Sequence, residues 1–390
     1  MENFSLEQYL KYLQYLVNFD NGSMNAKGVA RVADFFKEKF EEGPWKCELI
    51  TIEGAPVGPC LKVSNTPDDD YDVLLLGHMD TALPDGEAEK RPYTIDENGI
   101  VRGVGVSDMK GCLLSTYFAL AELSNEHRLD HAKVCFLLNC DEETGSRYSG
   151  PTLRKIAKHA KHVIVVEAAR KTGDMVKERS GVADYHLHAT GVSAHAGVNP
   201  QDGSSAINEL AEWIVRLHKL SNYAVGTSVN VGIIKGGKGS NVVAPEADAD
   251  VDVRFKTQAE FNRVNNAIRE LEKQSFTPGG AKVTAEYRPN RPPMPCTEKT
   301  QKLADLISKL GKEQGLSFGW VATGGGSDGN ITADMGIPTV DGVGPVGAGG
   351  HRDRRRLAGG CGHGRRRAYF CHILWPAAPV YRLVPGAPRH

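Results

Sequence analysis

Three short apolar runs in this chain each end on a side chain able to hold a metal ion, and that repetition restricts what it can fold into. Val73-Leu74-Leu75-Leu76 leads to Gly77-His78-Met79-Asp80, the run 134–138 leads to Asp141-Glu142-Glu143, and Val163-Ile164-Val165-Val166 leads straight to Glu167. Continuous β-branched and leucine runs are how strands buried on both faces read. Strands of that kind form largely parallel sheets, and ligands bind just beyond their carboxyl ends. Three ends presenting His or carboxylate point to one shared site, with donors suited to a hard or borderline divalent cation.

The rest of the chain supplies what such a sheet requires. A helix is expected from about residue 6, opened by a Ser5/Gln8 capping box with Leu6, Leu10, Leu13 and Val17 at helical spacing. Further helices are expected over 26–40 and 111–123, alternating with strands as in a doubly wound fold. From about residue 181 the texture changes. Ala247, Ala249, Val251, Val253 and Phe255 alternate with Asp248, Asp250, Asp252 and Arg254, the pattern of a strand with one wet face. With strands at 183–189, 228–234 and 282–287 and helices at 204–220 and 259–273, the order is βαββαβ, the ferredoxin-like split motif. Arg288-Pro289-Asn290-Arg291-Pro292-Pro293 reads as a stiff, extended hinge. The α/β texture then returns with a helix over 300–314. A length of 390 residues demands more than one core. The fold class expected is therefore α/β, a doubly wound, mostly parallel sheet domain (1–180 and 294–351) with an inserted ferredoxin-like α+β domain (181–293).

Composition excludes several classes. The formal net charge of -1 offers no general attraction to nucleic acid or an anionic membrane. No basic-then-apolar leader opens the sequence and no apolar stretch approaches a membrane span. Eight cysteines without a CxxC pair read as buried free thiols in a reducing compartment, so the expected location is the cytoplasm.

Individually the site motifs are ambiguous. His78 and Asp80 could both be ligands, or one a ligand and the other its orienting partner, or the pair a surface turn. Asp108, in Gly105-Val106-Ser107-Asp108-Met109-Lys110-Gly111, could simply cap the helix that follows. Asp141-Glu142-Glu143 could be a solvated acidic loop. Three successive carboxylates at a buried strand end nevertheless repel one another unless a cation neutralises them. Adjacent residues point apart, so one Glu could bind metal while its neighbour serves as a general base.

Taken together, His78-Met79-Asp80-Thr81, the Asp108 segment, Asp141-Glu142-Glu143-Thr144-Gly145-Ser146 and Gly191-Val192-Ser193-Ala194-His195-Ala196-Gly197 resemble the two-zinc peptidase and deacylase family. That family includes bacterial glutamate carboxypeptidase, aminoacylase, acetylornithine deacetylase and succinyl-diaminopimelate desuccinylase. The resemblance runs from about residue 5 to 351 and looks nearest to the glutamate carboxypeptidase branch, which has Glu where Glu167 stands. It implies a catalytic domain with an inserted lid or dimerisation domain, and two divalent ions, zinc with cobalt or manganese as alternatives. Asp108 would bridge them, with His78 and Glu167 on one and Glu143 and His351 on the other. Asp80 would orient His78, and Glu142 would be the general base and acid. In the lid, His195 would polarise the scissile carbonyl, Asn241 would contact substrate, and Arg254 and Arg291 would grip a substrate carboxylate, for which a guanidinium fork is suited.

The activity implied is hydrolysis of the amide bond to a C-terminal amino acid, glutamate foremost, in a small peptide or N-acyl amino acid. N-acyl amino-acid deacylation or dipeptide cleavage by the same centre is the first alternative, and an inactive metal-binding relative the second. A homodimer through the lid is expected, and neither nucleic acid nor membrane as partner. The resemblance stops at His351. Residues 352–390 hold nine arginines, no lysine and one acid, so this +8 stretch leaves the preceding residues at -9. It lacks helical or strand period. A shifted reading frame explains it most simply, a basic interaction tail being the alternative, and the stretch is expected to stand outside the native fold.

Overall fold

The computed structural model describes residues 1–97 and 99–348, together with the two-residue strand Arg356–Leu357, which pairs antiparallel with Gly347 and Ala348. The expectations for His351 and, that strand apart, for 352–390 lie outside the described residues. The chain divides into two compact units, one of residues 1–178, 296–323 and those from 327 onward, the other of 179–295 and 324–326.

In the first unit the apolar runs become β3 (Tyr71–His78), β4 (Val134–Asn139) and β5 (Ala160–Val165), preceded by β1 (Lys46–Ile50) and β2 (Cys60–Ser64). They form one sheet in the order β1-β2-β4-β3-β5, closed by Thr339–Val340. The pairings β4–β3, β3–β5 and β5 with Thr339–Val340 are parallel, and only β1–β2 and β2–β4 are antiparallel. Every residue of β4 is buried, as its uninterrupted apolar sequence requires. Register aligns the strand ends: His78 stands beside Asn139, and Leu76 beside Val165. The loops that leave these ends therefore emerge together.

Helices cover the sheet. α1 (Leu6–Val17) is capped by Ser5, whose hydroxyl accepts from the Gln8 amide at 3.1 Å. Leu13, Leu16 and Val17 are fully buried, but Leu6 is 44% exposed, so the apolar stripe begins a turn later than its spacing implied. α2 (Ala26–Glu41) buries Val29, Val32, Phe36 and Phe40. α3 (Gly111–Asn125) is buried almost all round, which a helix without a polar face demands. It packs close to β3: a Cβ on Gly77 would stand 2.6 Å from Leu113 Cδ2. Hydrogen at that position lets the helix approach the strand next to His78.

The second unit consists of β6 (Gly181–Thr190), α4 (Ala206–His218), β7 (Ser228–Gly236), β8 (Glu246–Phe255), α5 (Gln258–Leu271) and β9 (Lys282–Arg291). Its antiparallel sheet has the order β7-β8-β6-β9. Tyr185, Leu187, Val251 and Val253 on the inner face pack with Leu210 and Trp213 of α4 and Val264 and Ile268 of α5. One expectation needs correction. Arg288 to Arg291 do not form a free hinge but continue β9, with Val182 paired to Arg291 beyond a bulge. Pro289 can sit there because β9 is an edge strand, where a missing N–H costs no ladder bond on the open side. No described helix is long and apolar enough to cross a membrane.

Candidate metal centre

His78, the last residue of β3, is 1% exposed, and its two ring nitrogens face different partners. Nδ1 lies 3.0 Å from the Asp80 carbonyl and 3.2 Å from its Oδ1. Nε2 points to Asp108 Oδ1 at 3.1 Å and Glu167 Oε1 at 3.4 Å. Asp80 thus fixes the ring while Nε2, aimed at two carboxylates, carries either a proton or a cation.

Asp80 is itself held from several sides. Ser23 Oγ donates to its Oδ2 at 2.6 Å, and the amides of Glu142 and Glu143 donate to its two oxygens at 3.1 Å each. The orienting group of one strand end therefore also fixes the backbone of the next. Asn21 Nδ2 donates to the Met79 carbonyl at 2.5 Å and steadies the same turn. Ser23 and Asn21 were missed in the sequence, because small polar residues between two helices signal nothing until Asp80 is seen beside them.

The three successive acids separate as alternation demands. Asp141 is fully buried and turns inward, accepting from Ser149 Oγ and from the Tyr148 amide at 2.8 Å. Glu143 accepts from the Ala82 amide at 2.9 Å. Asp108 does not open α3. It lies in a wide turn, Val106–Lys110, with extended backbone at φ −137° and ψ 88°, and Gly105 enters that turn at φ 71°. Donor atoms of His78, Asp108 and Glu143 come within 4.8 Å of one another, and so do those of His78, Glu142 and Glu167. One imidazole shared by four carboxylates is a donor set that fits divalent cations. Glu142 stands in the second group, where its carboxylate could act as base or as ligand.

The electrostatics carry the same message. Burial pulls the His78 imidazole toward neutrality, but hydrogen bonds to Asp108, Asp80 and Glu167 outweigh it and hold its pKa well above the usual value. Burial, then repulsion from Asp108, pushes the Glu143 carboxyl up to about 9. Glu167 is raised by the same two causes, eased by His78. Carboxyls that resist ionisation beside an imidazole that resists neutrality describe a pocket short of positive charge.

The other candidate residues lie in the second unit. His195 is exposed and its strand-like segment bridges to Val242, with the Ala196 amide donating to the Asn241 carbonyl at 3.0 Å. The fold thus brings His195 and Asn241, 46 positions apart in sequence, into one pair of loops. Arg254 is chelated by Asp252, with Nε at 2.8 and 2.9 Å from its two oxygens. Arg291 is only 4% exposed. Arg179, also buried, donates to the carbonyl of Gly325 at 3.0 Å, an anchoring role the sequence did not reveal.

Residues 177–280 match the model of a peptidase dimerisation domain from the M20 group. Carboxypeptidase G2 of a Pseudomonas species is 28% identical over 347 residues, covering 88% of this chain and 83% of that protein. Succinyl-diaminopimelate desuccinylase of Nitrosococcus oceani is 27% identical over 300 residues, covering 72% and 77%. Residues 177–280 thus match an M20 domain, and the chain is similar to M20 peptidases over most of its length. The fold is that of solved M20 relatives. A tripeptidase from Staphylococcus aureus superposes with a TM-score of 0.78 at 21% identity, covering 97% of this chain and 99% of that one. An M20 metallo-carboxypeptidase from Sulfolobus solfataricus gives 0.72 at 18% identity, covering 97% and 100%.

Proposed function

We propose that this chain is a two-metal carboxypeptidase that cleaves the amide bond to a C-terminal amino acid, glutamate foremost, in small peptides or N-acyl amino acids. The observation that carries this reading is the convergence of Asp108, Glu143, Glu142 and Glu167 on the single imidazole of His78. His78 and Glu167 would hold one ion, Glu143 and His351 the other, with Asp108 shared; zinc suits this donor set, and cobalt or manganese would serve. When bound, the ions supply Lewis acidity toward the scissile carbonyl and toward water.

The chain's own residues do the rest. Asp80, pinned by Ser23, keeps the His78 ring in one orientation. Glu142 takes a proton from the attacking water and returns it to the leaving amine. His195 donates to the developing oxyanion, and Asn241 steadies the substrate. Arg254 and Arg291 receive the free carboxylate, which at Arg254 means exchanging Asp252 for substrate. Residues 181–293 are assigned as the lid, 1–180 and 294–351 as the catalytic domain. The lid is also assigned as the homodimer surface, since its edge strand β7 leaves Ile233 and Ile234 51% and 53% exposed.

A second reading, N-acyl amino-acid deacylase or dipeptidase, draws support from the likeness to the desuccinylase. A panel of N-acyl amino acids and dipeptides, assayed with added Zn²⁺ or Co²⁺, separates the two. Faster turnover of N-acyl glutamate than of its carboxyl amide is expected. Equal rates on both would remove the carboxylate clamp, and no turnover of any member would sink the reading.

A further inference from the structure

The open face of the second unit carries a cluster that the metal centre does not use. In the β6–β8 register His186 stands opposite Asp250 and His188 opposite Asp248. The alternation that buries Tyr185, Leu187, Ala249 and Val251 turns these four outward. Asp248 Oδ1 lies 2.8 Å from His188 Nδ1 and 3.4 Å from His186 Nε2. The remaining nitrogen of His186, Nδ1, lies 2.8 Å from Asp250 Oδ1. Two imidazoles thus flank one oxygen of Asp248, and a second carboxylate holds one ring from behind.

Charge balance singles out the same spot. Three other acids on this face have a matching donor: Arg254 pairs with Asp252 at 2.6 Å, Arg288 with Glu286 at 2.8 Å, and Asn290 donates to Asp184 at 2.9 Å. Asp248 and Asp250 contact the two imidazoles and have no lysine or arginine in ion-pair range among the described residues, although Lys235 is the cross-strand neighbour of Asp248 and the charge of Asp250 is felt at Arg288. Two carboxylates without a close ion-pair partner present negative charge toward which a divalent cation would be drawn.

We propose that His186, His188 and Asp248 form a surface site for a divalent transition-metal ion such as Zn²⁺, with Asp250 orienting His186. Two imidazole nitrogens and one carboxylate oxygen are a donor set for zinc, nickel or copper, with water completing the coordination. A proton on Nδ1 directed at Asp250 leaves the Nε2 lone pair facing Asp248 and His188, the arrangement in which a carboxylate sharpens a histidine ligand. The two nitrogens flank the Asp248 oxygen, so capture draws them inward by side-chain rotation. The side chains of His186, His188 and Asp248 are 31%, 46% and 42% exposed, so each reaches solvent. A bound ion would tie β6 to β8 and raise the stability of the unit in proportion to its occupancy.

The full-length protein, dialysed to equilibrium against Zn²⁺ and assayed for bound metal by mass spectrometry, tests this. The parent should bind one further equivalent compared with the double variant His186→Gln/His188→Gln, whose hydrolytic rate should be unchanged. Asp250→Asn should retain that equivalent with affinity lowered about 10–100-fold, the usual effect of removing an orienting carboxylate. Glu143→Ala should lose metal from the catalytic centre and still show the difference. Equal Zn²⁺ uptake by parent and double variant overturns the proposal, as does loss of the further equivalent in Glu143→Ala alone. Either result leaves the hydrolase reading untouched.

Discussion

The two sheets answer different demands. In the first unit β4 and all of β3 but Asp72 near its start are buried, so these strands hardly present side chains to solvent along their length, and chemistry is confined to the ends. In the second unit only one face is covered, and β8 shows the polar half of its sequence along its whole length. A doubly covered parallel sheet concentrates ligands in one place, whereas a half-covered antiparallel sheet distributes polar groups over a surface. A dense carboxylate pocket therefore arises in the first unit, and exposed, separately mutable groups in the second.

The comparison can be broken most directly at Glu142. Glu142→Gln should lower kcat by about 10²–10⁴ with metal content unchanged, the range that a positioned acid–base group contributes. If metal is lost along with activity, Glu142 is a ligand and the base must be sought elsewhere. His195→Ala is the counterpart in the second unit. It should lower kcat by about 10²–10³ while KM stays close to the parent's, since an oxyanion donor acts on the transition state. A KM effect alone would move His195 from catalysis to binding.

Packing offers a third contrast. Leu76→Ala, at a fully buried position of β3, should cost about 2–5 kcal/mol in denaturant unfolding. A cost under half that range would show that the sheet relaxes around the cavity. Ser23→Ala removes a hydroxyl that touches only Asp80 in the site, so metal affinity should fall about 10–100-fold with little change in fold stability. Unchanged affinity would mean that the two amides alone hold Asp80. The smallest effect belongs to the open edge of the second unit. Ile234→Ser should alter monomer stability by about 0.5 kcal/mol or less, as exposed positions do, yet weaken self-association measured by sedimentation. A dimer indifferent to that change would place the interface on another surface.

Much of this architecture was legible in the residues. Uninterrupted apolar runs announced β3, β4 and β5, and strict alternation announced β8, because each period reports how many faces are covered. The extent of β9 was not legible. A segment with three prolines reads as an extended connection, and only the edge position of the strand makes Pro289 compatible with a ladder. Asp108 was open to two readings from sequence, helix cap or ligand, and only the structure shows it in a turn that aims it at His78.

The sequence by itself determined which side chains end the buried strands, since hydrophobic periodicity is a local property carried by neighbouring residues. It also supplied the donor chemistry, His78 with four carboxylates. Only the tertiary structure decided how those donors are oriented. Parallel register brings Asn139 beside His78, and Asp80 then links Ser23, His78, Glu142 and Glu143 through contacts spanning up to 63 positions. The same holds for His186, His188, Asp248 and Asp250, which strand pairing alone brings together. Register and long-range hydrogen bonds depend on how elements pack, and no local pattern in the chain encodes them.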